Sequence, residues 1–194
     1  MREKRHHTTC EEFGLTKSLK EWASIIRALE SGKQTVLLRK GGIMETASGF
    51  MVESEKFLLY PTAEHQGYTN IKTEFHDMLE NANSPPKGYN KITSYAKVLV
   101  ESDITSKDTL DSLSRFHIWS NAYIDSRKNW NPEKPIKALF LKVYKIPEII
   151  IPLKQEYQGC KSWIDVPKEI PNGVPVLNDA EIKSRLEEFR SIIN

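Results

Sequence analysis

The spacing of apolar and polar positions divides the chain into helical and extended stretches. Apolar residues three and four positions apart predict helices over about 18–31, 71–79, 117–127 and 178–193, and a further helix that opens at 105–108. Runs rich in β-branched and aromatic residues predict strands over 34–40, 56–60, 92–101 and 136–145, with shorter extended pieces at 49–52, 149–151, 162–166 and 174–177. The run at 136–145 has the strongest strand pattern, so we expect it near the middle of a sheet.

Capping and breaking residues predict where several elements begin and end. Ser18 and Glu21 have the spacing of a capping box, which predicts that the first helix starts at Ser18 and ends at Gly32. The polar run 178–181 also contains residues that can cap a helix, and it predicts the start of the last helix. Pro61 predicts the end of the strand over 56–60, because proline has no backbone N–H for a sheet.

The order of these elements indicates the fold class. Strands recur without regular alternation with helices, which favours an α+β fold with a mixed or mostly antiparallel sheet. Such a sheet could be barrel-like and would be flanked by helices. We expect a flexible N-terminal arm over 1–15 and a single domain over 16–194, in which the Pro- and Gly-containing segment 83–90 forms a hinge or a long loop.

Composition narrows the class of protein further. The 194 residues include 28 Lys and Arg against 26 Asp and Glu, a net charge of +2, and 39% hydrophobic residues. This is typical of one folded domain and excludes a histone-like or strongly acidic chain.

No apolar run approaches the roughly 20 residues of a membrane span, and no secretory signal follows the basic N-terminus. Two distant cysteines, Cys10 and Cys160, indicate free thiols and a cytoplasmic protein.

A cluster of polar residues follows the strand over 56–60 and is the first candidate site. Glu64, His65 and Gln66 are candidate catalytic residues, because an imidazole exchanges protons near neutral pH and a neighbouring carboxylate can orient it. Tyr60 and Thr62 are candidate binding residues beside them. The alternative is a capped turn, in which short polar side chains bond to the nearby backbone.

A second candidate site lies where Arg39 and Lys40 precede two glycines. Backbone N–H groups at such a turn can hold phosphate, and an arginine can bind it with two hydrogen bonds. The chain has neither the P-loop nor the dinucleotide fingerprint, so no nucleotide motif supports this site. The alternative is an ordinary hairpin turn.

The heptad 157–163 contains the third candidate. Cys160 stands beside Lys161, a cation that could lower the pKa of the thiol and make it nucleophilic. Ser162 and Trp163 complete the segment and, with Lys161, are candidate binding residues. The alternative is a small buried thiol in a tight turn next to a packed tryptophan.

A basic stretch with interleaved aromatic residues is the fourth candidate. Six cations stand in 127–145 against the single acid Glu133: Arg127, Lys128, Lys134, Lys137, Lys142 and Lys145. Together with the aromatic residues Trp119, Tyr123 and Trp130, cations such as Arg127 and Lys142 suit nucleic acid through phosphate contacts and base stacking. The alternative is a solvated basic surface, because the strand divides its lysines between two faces.

Metal and nuclease motifs are missing from the sequence. Neither H-x-x-x-H nor H-E-x-x-H occurs, and the acid-x-lysine match at 181–183 falls in a predicted helix rather than a strand. The sequence therefore predicts no metal site and no cofactor. Nucleic acid remains the candidate partner, and no membrane partner is expected.

Four stretches of the sequence, in this order, resemble a known family. They are 19–23 (LKEWA), 36–45 (VLLRKGGIME), 57–66 (FLLYPTAEHQ) and 157–163 (YQGCKSW). In this order, the four stretches resemble the prokaryotic, uncharacterised family called domain of unknown function 1802. The resemblance extends over about residues 15 to 190. The family has no assigned activity or catalytic residues. Its association with restriction-endonuclease modules implies a link to DNA processing or defence.

Three functions remain open at this point. The first is a nucleic-acid-associated binding module, linked to restriction or defence. The second is a small cytosolic enzyme with a pocket built around 64–66. The third is a structural or partner-binding domain.

Overall fold

The computed structural model describes residues 14–41, 49–63, 66–80 and 84–194. The strands are β1 (Thr16–Trp22), β2 (Val36–Arg39), β3 (Lys56–Thr62), β4 (Tyr89–Ile104), β5 (Ile136–Pro152), β6 (Trp163–Val166) and β7 (Val174–Pro175). The α-helices are α1 (Ala23–Glu30), α2 (Lys107–Ser112), α3 (Asn121–Asn129) and α4 (Asp179–Ile193). Short 3₁₀ helices cover Tyr68–Asn70, Thr73–Leu79, Leu113–Phe116 and Gln155–Tyr157.

The strands form one mixed sheet. Its order is β2-β5-β4-β3-β1-β6, and β7 pairs with β5 on the same side as β2. β1 and β3 run parallel, whereas the other pairs are antiparallel. The sheet curls into a half-barrel flanked by helices, which confirms the predicted α+β class and the predicted kind of sheet.

Apolar side chains pack on both faces of the sheet because alternate strand residues point in opposite directions. In β3, Phe57 and Leu59 belong to the main core, which also receives α1 and Phe189 of α4. Leu58 and Tyr60 belong to a second cluster on the other side. The sheet is therefore covered on both sides, and its continuous apolar runs follow from that position.

The predicted helix over 18–31 is wrong in its first half. Residues Thr16–Trp22 form strand β1, and the helix is confined to Ala23–Glu30. β1 lies between β3 and β6, so neighbouring strands on both sides satisfy its backbone groups. The Ser18 hydroxyl donates to the carbonyl of Thr16 at 3.4 Å instead of capping a helix. The end of the helix at Gly32 is confirmed by that residue's φ of +71°.

Several other boundaries differ from the prediction. Pro61 lies inside β3. The parallel strand β1 pairs with this segment, and the side chain of Asn90 donates to the Pro61 carbonyl at 2.9 Å. Residues 49–52 are not a strand, the helix predicted over 71–79 is a 3₁₀ helix, and 149–151 continue β5. The capping box of α4, between Asn178 and Glu181, is confirmed.

The arm over 1–15 and the hinge or loop over 83–90 remain predictions. Residues 1–13 and 83 lie outside the described part of the chain. In the segments that are described, we find no helix with both the length and the apolar character to cross a bilayer.

Candidate functional site

The Arg39 guanidinium connects three separate parts of the chain. Its Nη1 lies 3.0 Å from Oε2 of Glu21 and also donates to the carbonyl of Lys20 at 3.2 Å. Its Nη2 donates to the hydroxyl of Ser162 at 2.8 Å. Glu21 is 5% exposed and the Arg39 side chain 18% exposed, so this ion pair is largely shielded from water.

The four stretches that carry the family resemblance meet around this ion pair. β1, from the first stretch, pairs along its length with β3, from the third. Arg39 brings the second stretch to Glu21 and Ser162. The ammonium of Lys20 donates to the carbonyl of Gly159 at 2.8 Å, which adds a second contact to the fourth stretch. The sequence alone offered no way to decide whether these stretches converge.

Lys40, which directly follows β2, lies close to two cations of α3. The ammonium of Lys40 donates to the carbonyl of Lys128 at 2.6 Å, and Lys40 is only 3% exposed. Burial lowers the pKa of Lys40, and the nearby charges of Arg127 and Lys128 lower it further. We call Arg39, Lys40, Arg127 and Lys128 the basic cluster.

Tyr123 is influenced both by the buried Glu21 carboxylate and by cations of the basic cluster. Burial raises the pKa of Tyr123, as does Glu21, whereas Arg127 and Arg39 lower it. Its ring packs against that of Trp22, with centroids 5.0 Å apart. The predicted binding residues Arg39, Lys40, Tyr123, Arg127 and Ser162 are thus brought together by the fold.

The tryptophans among the predicted binding and stacking residues differ in exposure. Trp119 and Trp163 are buried, and the Nε1 of Trp163 donates to the carbonyl of Met51 at 2.9 Å. Neither ring presents a free face on which a base could stack. Trp130 is 38% exposed, and the Arg127 guanidinium lies 5.2 Å from its ring centroid. The sequence did not show which of these three tryptophans is exposed, because the neighbours of a tryptophan along the chain do not reveal whether its ring is buried.

Two other cations of the basic stretch have acidic partners outside the basic cluster. The ammonium of Lys142 is 2.6 Å from Asp179 at the start of α4. That of Lys137 is 2.9 Å from Asp103 on β4. The positive charge of 127–145 is therefore divided between these ion pairs and the basic cluster, to which Arg127 and Lys128 belong.

The catalytic residues predicted after β3 are only partly described. Glu64 and His65 lie outside the described residues, so their role remains a prediction. The side-chain carbonyl of Gln66 accepts a hydrogen bond from the backbone N–H of Ser24 at 3.2 Å. Gln66 thus contacts the first turn of α1, where the N-cap residue Trp22 supplies no side-chain cap.

Cys160 and Lys161 both lie at the surface. Cys160 is an exposed free thiol, so the alternative of a buried thiol in a tight turn is wrong. Its predicted reactivity remains a prediction. Among the described residues, no three His, Cys, Asp or Glu side chains are grouped as a metal site would require.

A large cleft opens beside β3. It has a volume of about 860 Å³ and lies between α1, the end of β3 and the first half of β4. Tyr60 and Thr62, two of the predicted binding residues, line it. None of the basic cluster lines it, so the cleft and the cluster are separate features. We call it the α1–β4 cleft.

The comparison with protein families assigns the chain. The model described as "Domain of unknown function (DUF1802)" matches residues 18–188, nearly the whole chain. The chain belongs to the DUF1802 family. The family resemblance seen in the sequence is thereby confirmed, and the buried ion pair and the basic cluster both lie within the matched region of this DUF1802 protein.

Two solved structures are similar to this DUF1802 chain in part. The crystal structure of ASCH from Zymomonas mobilis is 15% identical with a TM-score of 0.37, covering 72% of this chain and 88% of that one. A single-residue mutant of the Zymomonas mobilis protein is 15% identical with a TM-score of 0.33, covering 64% of this chain and 66% of that one. The comparison with curated proteins gave no match.

Proposed function

We propose that this DUF1802 protein binds single-stranded nucleic acid through the basic cluster. The observation that carries the proposal is the position of Lys40. Its ammonium is buried and bonded to a backbone carbonyl, and the charges of Arg127 and Lys128, which lower its pKa, are also positive. A bound phosphate would offset this repulsion, and a polynucleotide presents phosphates in succession.

The members of the basic cluster would have different roles. Arg127 and Lys128 are half-buried at the end of α3 and retain accessible surface for phosphate oxygens. Lys40 is buried and bonded to the Lys128 carbonyl, so it adds positive charge beneath the surface. Arg39 is committed to Glu21 and Ser162, so it positions the cluster rather than contacting the ligand.

Trp130 supports a single-stranded rather than a double-stranded ligand. Its ring is partly exposed and lies beside the Arg127 guanidinium. Unpaired bases stack on such rings, and a neighbouring arginine strengthens the contact. A base in a duplex is already stacked and offers its face less readily.

The alternative of a solvated basic surface predicts charges that are spread out and paired. Lys137 and Lys142 fit that description, since each lies within 3 Å of an aspartate. The basic cluster does not fit it, because among the described residues Lys40, Arg127 and Lys128 form no ion pair, and the buried Glu21 carboxylate is bonded to Arg39 and to the backbone N–H of Trp22. The link to restriction or defence that the family resemblance implies would favour DNA as the ligand. The test therefore compares DNA with RNA directly.

The experiment is fluorescence anisotropy with short labelled oligonucleotides of single-stranded DNA, single-stranded RNA and duplex DNA. We expect binding to single strands that weakens between about 50 mM and about 200 mM salt, with a log–log slope of about −0.7 per phosphate contacted. The double variant Arg127→Gln/Lys128→Gln should bind more weakly and with a shallower slope. Trp130→Ala should weaken binding about 5- to 150-fold with the slope unchanged.

The matched control is Lys142→Gln/Lys154→Gln, which removes the same charge from ion-paired sites outside the basic cluster. It should leave affinity and slope near those of the wild type. Equal losses in the two double variants would mean that net charge alone attracts the strand, and would overturn the proposal. So would the absence of binding at the lower salt concentration.

A further inference from the structure

The α1–β4 cleft is formed by one face of a helix and an irregular stretch of sheet. Ala23, Ile26, Arg27 and Glu30 of α1 line one wall at the spacing of a single helix face. On the other side, Ile92 pairs with Ile149 and Ser94 with Lys145, so a single residue of β4 opposes three of β5. The ladder opens there, and bulges of this kind are common beside binding sites.

The walls are held by hydrogen bonds that also occupy the carboxylates. The hydroxyl of Thr93, the residue at the irregularity, donates to Glu30 across the cleft. On the β4–β5 side, Lys91 lies 3.0 Å from Glu148. Two of the acidic side chains that line the cleft are therefore already bonded, and their positions do not depend on a ligand.

Two cations, Arg27 and Lys145, line the walls of the cleft. The Nε of Arg27 donates to the carbonyl of Met78 at 2.6 Å, and its Nη2 is buried in the wall without a hydrogen-bond partner among the described residues. Burial lowers the pKa of Arg27, with the charge of Glu30 acting in the opposite direction. Lys145 is exposed at the cleft and has no ion pair within the described part of the chain.

Aromatic surface completes the cleft. Tyr60 and Tyr157 pack edge to face with centroids 5.8 Å apart, which gives one end a rigid floor. Tyr89 is exposed at the rim and offers a ring on which a planar group could stack. The volume of about 860 Å³ lies within the range of small-molecule sites, which is about 300–1,000 Å³.

We propose that the α1–β4 cleft binds a phosphorylated small molecule with one aromatic ring system, of the size of a nucleoside monophosphate. Lys145 donates a charge-assisted hydrogen bond to the phosphate, and the positive charge of Arg27 in the cleft wall attracts it. The ring stacks on Tyr89. This inference does not rest on the proposed strand binding, since no member of the basic cluster lines the cleft.

The test is calorimetric titration of the full chain with adenosine monophosphate, adenosine and ribose 5-phosphate. We expect adenosine monophosphate to bind more tightly than either fragment, because each fragment lacks one of the two recognised groups. Lys145→Gln should weaken that binding about tenfold or more, through loss of a charge-assisted hydrogen bond. Ala63→Trp should abolish it, because Ala63 is an exposed residue that lines the cleft outside any helix or strand.

Two controls separate the possible outcomes. Lys183→Gln removes an exposed charge from α4, away from the cleft, and should leave binding unchanged. Arg127→Gln/Lys128→Gln should also bind adenosine monophosphate as the wild type does, even if it no longer binds single strands. Binding that survives both Lys145→Gln and Ala63→Trp in folded protein places the site elsewhere and overturns the inference. So does the absence of binding by adenosine monophosphate, or equal affinity for all three compounds.

Discussion

Arg39 on the edge strand β2 donates a hydrogen bond of 2.8 Å to Ser162, which directly precedes the opposite edge strand β6. The same guanidinium forms an ion pair with Glu21 on β1. Strands that lie at opposite ends of the sheet order are thus joined by one side chain. The curl of the half-barrel brings them together, and the buried ion pair holds them there.

The ion pair should contribute to stability in a way that depends on both partners. Arg39→Met leaves the Glu21 carboxylate buried without its cation, so we expect a loss of about 3–5 kcal/mol in the free energy of unfolding. Arg39→Met/Glu21→Leu removes both charges and should recover most of that loss. Urea unfolding of the two variants and of Glu21→Leu completes a double-mutant cycle. Additive losses would show that the two side chains are not coupled.

Gln66 should stabilise the start of α1. Gln66→Ala removes the acceptor for the Ser24 N–H, and we expect a loss of about 0.5–1.5 kcal/mol in the free energy of unfolding. Gln66→Glu keeps an acceptor and places a negative charge near a helix N-terminus, where it is favourable. That variant should remain near wild-type stability in thermal melts. Equal losses in both variants would show that the hydrogen bond is not what Gln66 contributes.

His117 should make the protein sensitive to acid. Burial, with a smaller effect from the charge of Lys72, lowers the pKa of His117 from 6.5 to about 3. The unfolded chain therefore binds a proton that the folded chain excludes between these two values. The contribution of neutral, buried His117 to folding stability is complete above the pKa of the histidine in the unfolded chain. It is lost by about 1.4 kcal/mol per pH unit as the pH falls from that pKa towards the pKa in the folded protein.

The measurement is urea unfolding at a series of pH values from neutral to about one unit above the folded pKa. His117→Phe cannot bind the proton and should show a shallower fall in stability over this range. It retains an aromatic ring for the contact with Trp119, whose centroid lies 5.5 Å from that of the imidazole. If wild type and variant fall in parallel, other groups cause the acid sensitivity.

The local sequence predicted elements well where local interactions decide them. The capping box of α4 was correct because Asn178 and Glu181 bond to backbone groups within the same turn. β4 and β5 were recognised in part from their β-branched and aromatic runs, although both extend beyond the predicted limits. Gly32 ends α1 as expected, since its φ of +71° suits a residue without a side chain.

β1 shows where local reasoning failed. Its apolar spacing fits a helix, and Ser18 and Glu21 have the spacing of a cap. The segment nevertheless forms a strand, since β3 and β6 supply hydrogen bonds on both sides. Those partners are about 40 and 145 residues away in sequence, as in the pairing of Ser18 with Leu58 and Ile164. A helix over this segment would have left two strands of the sheet without their neighbour.

The amino-acid sequence by itself determined the α+β class, the family and the residue types from which a site could be built. The tertiary structure decided which of those residues meet. Lys40, Arg127 and Lys128 come together, whereas Lys142 pairs with Asp179 and Trp119 is buried. The physical reason is that spacing along the chain reports only on neighbours within a turn or a strand, whereas burial and charge pairing depend on how the sheet curls.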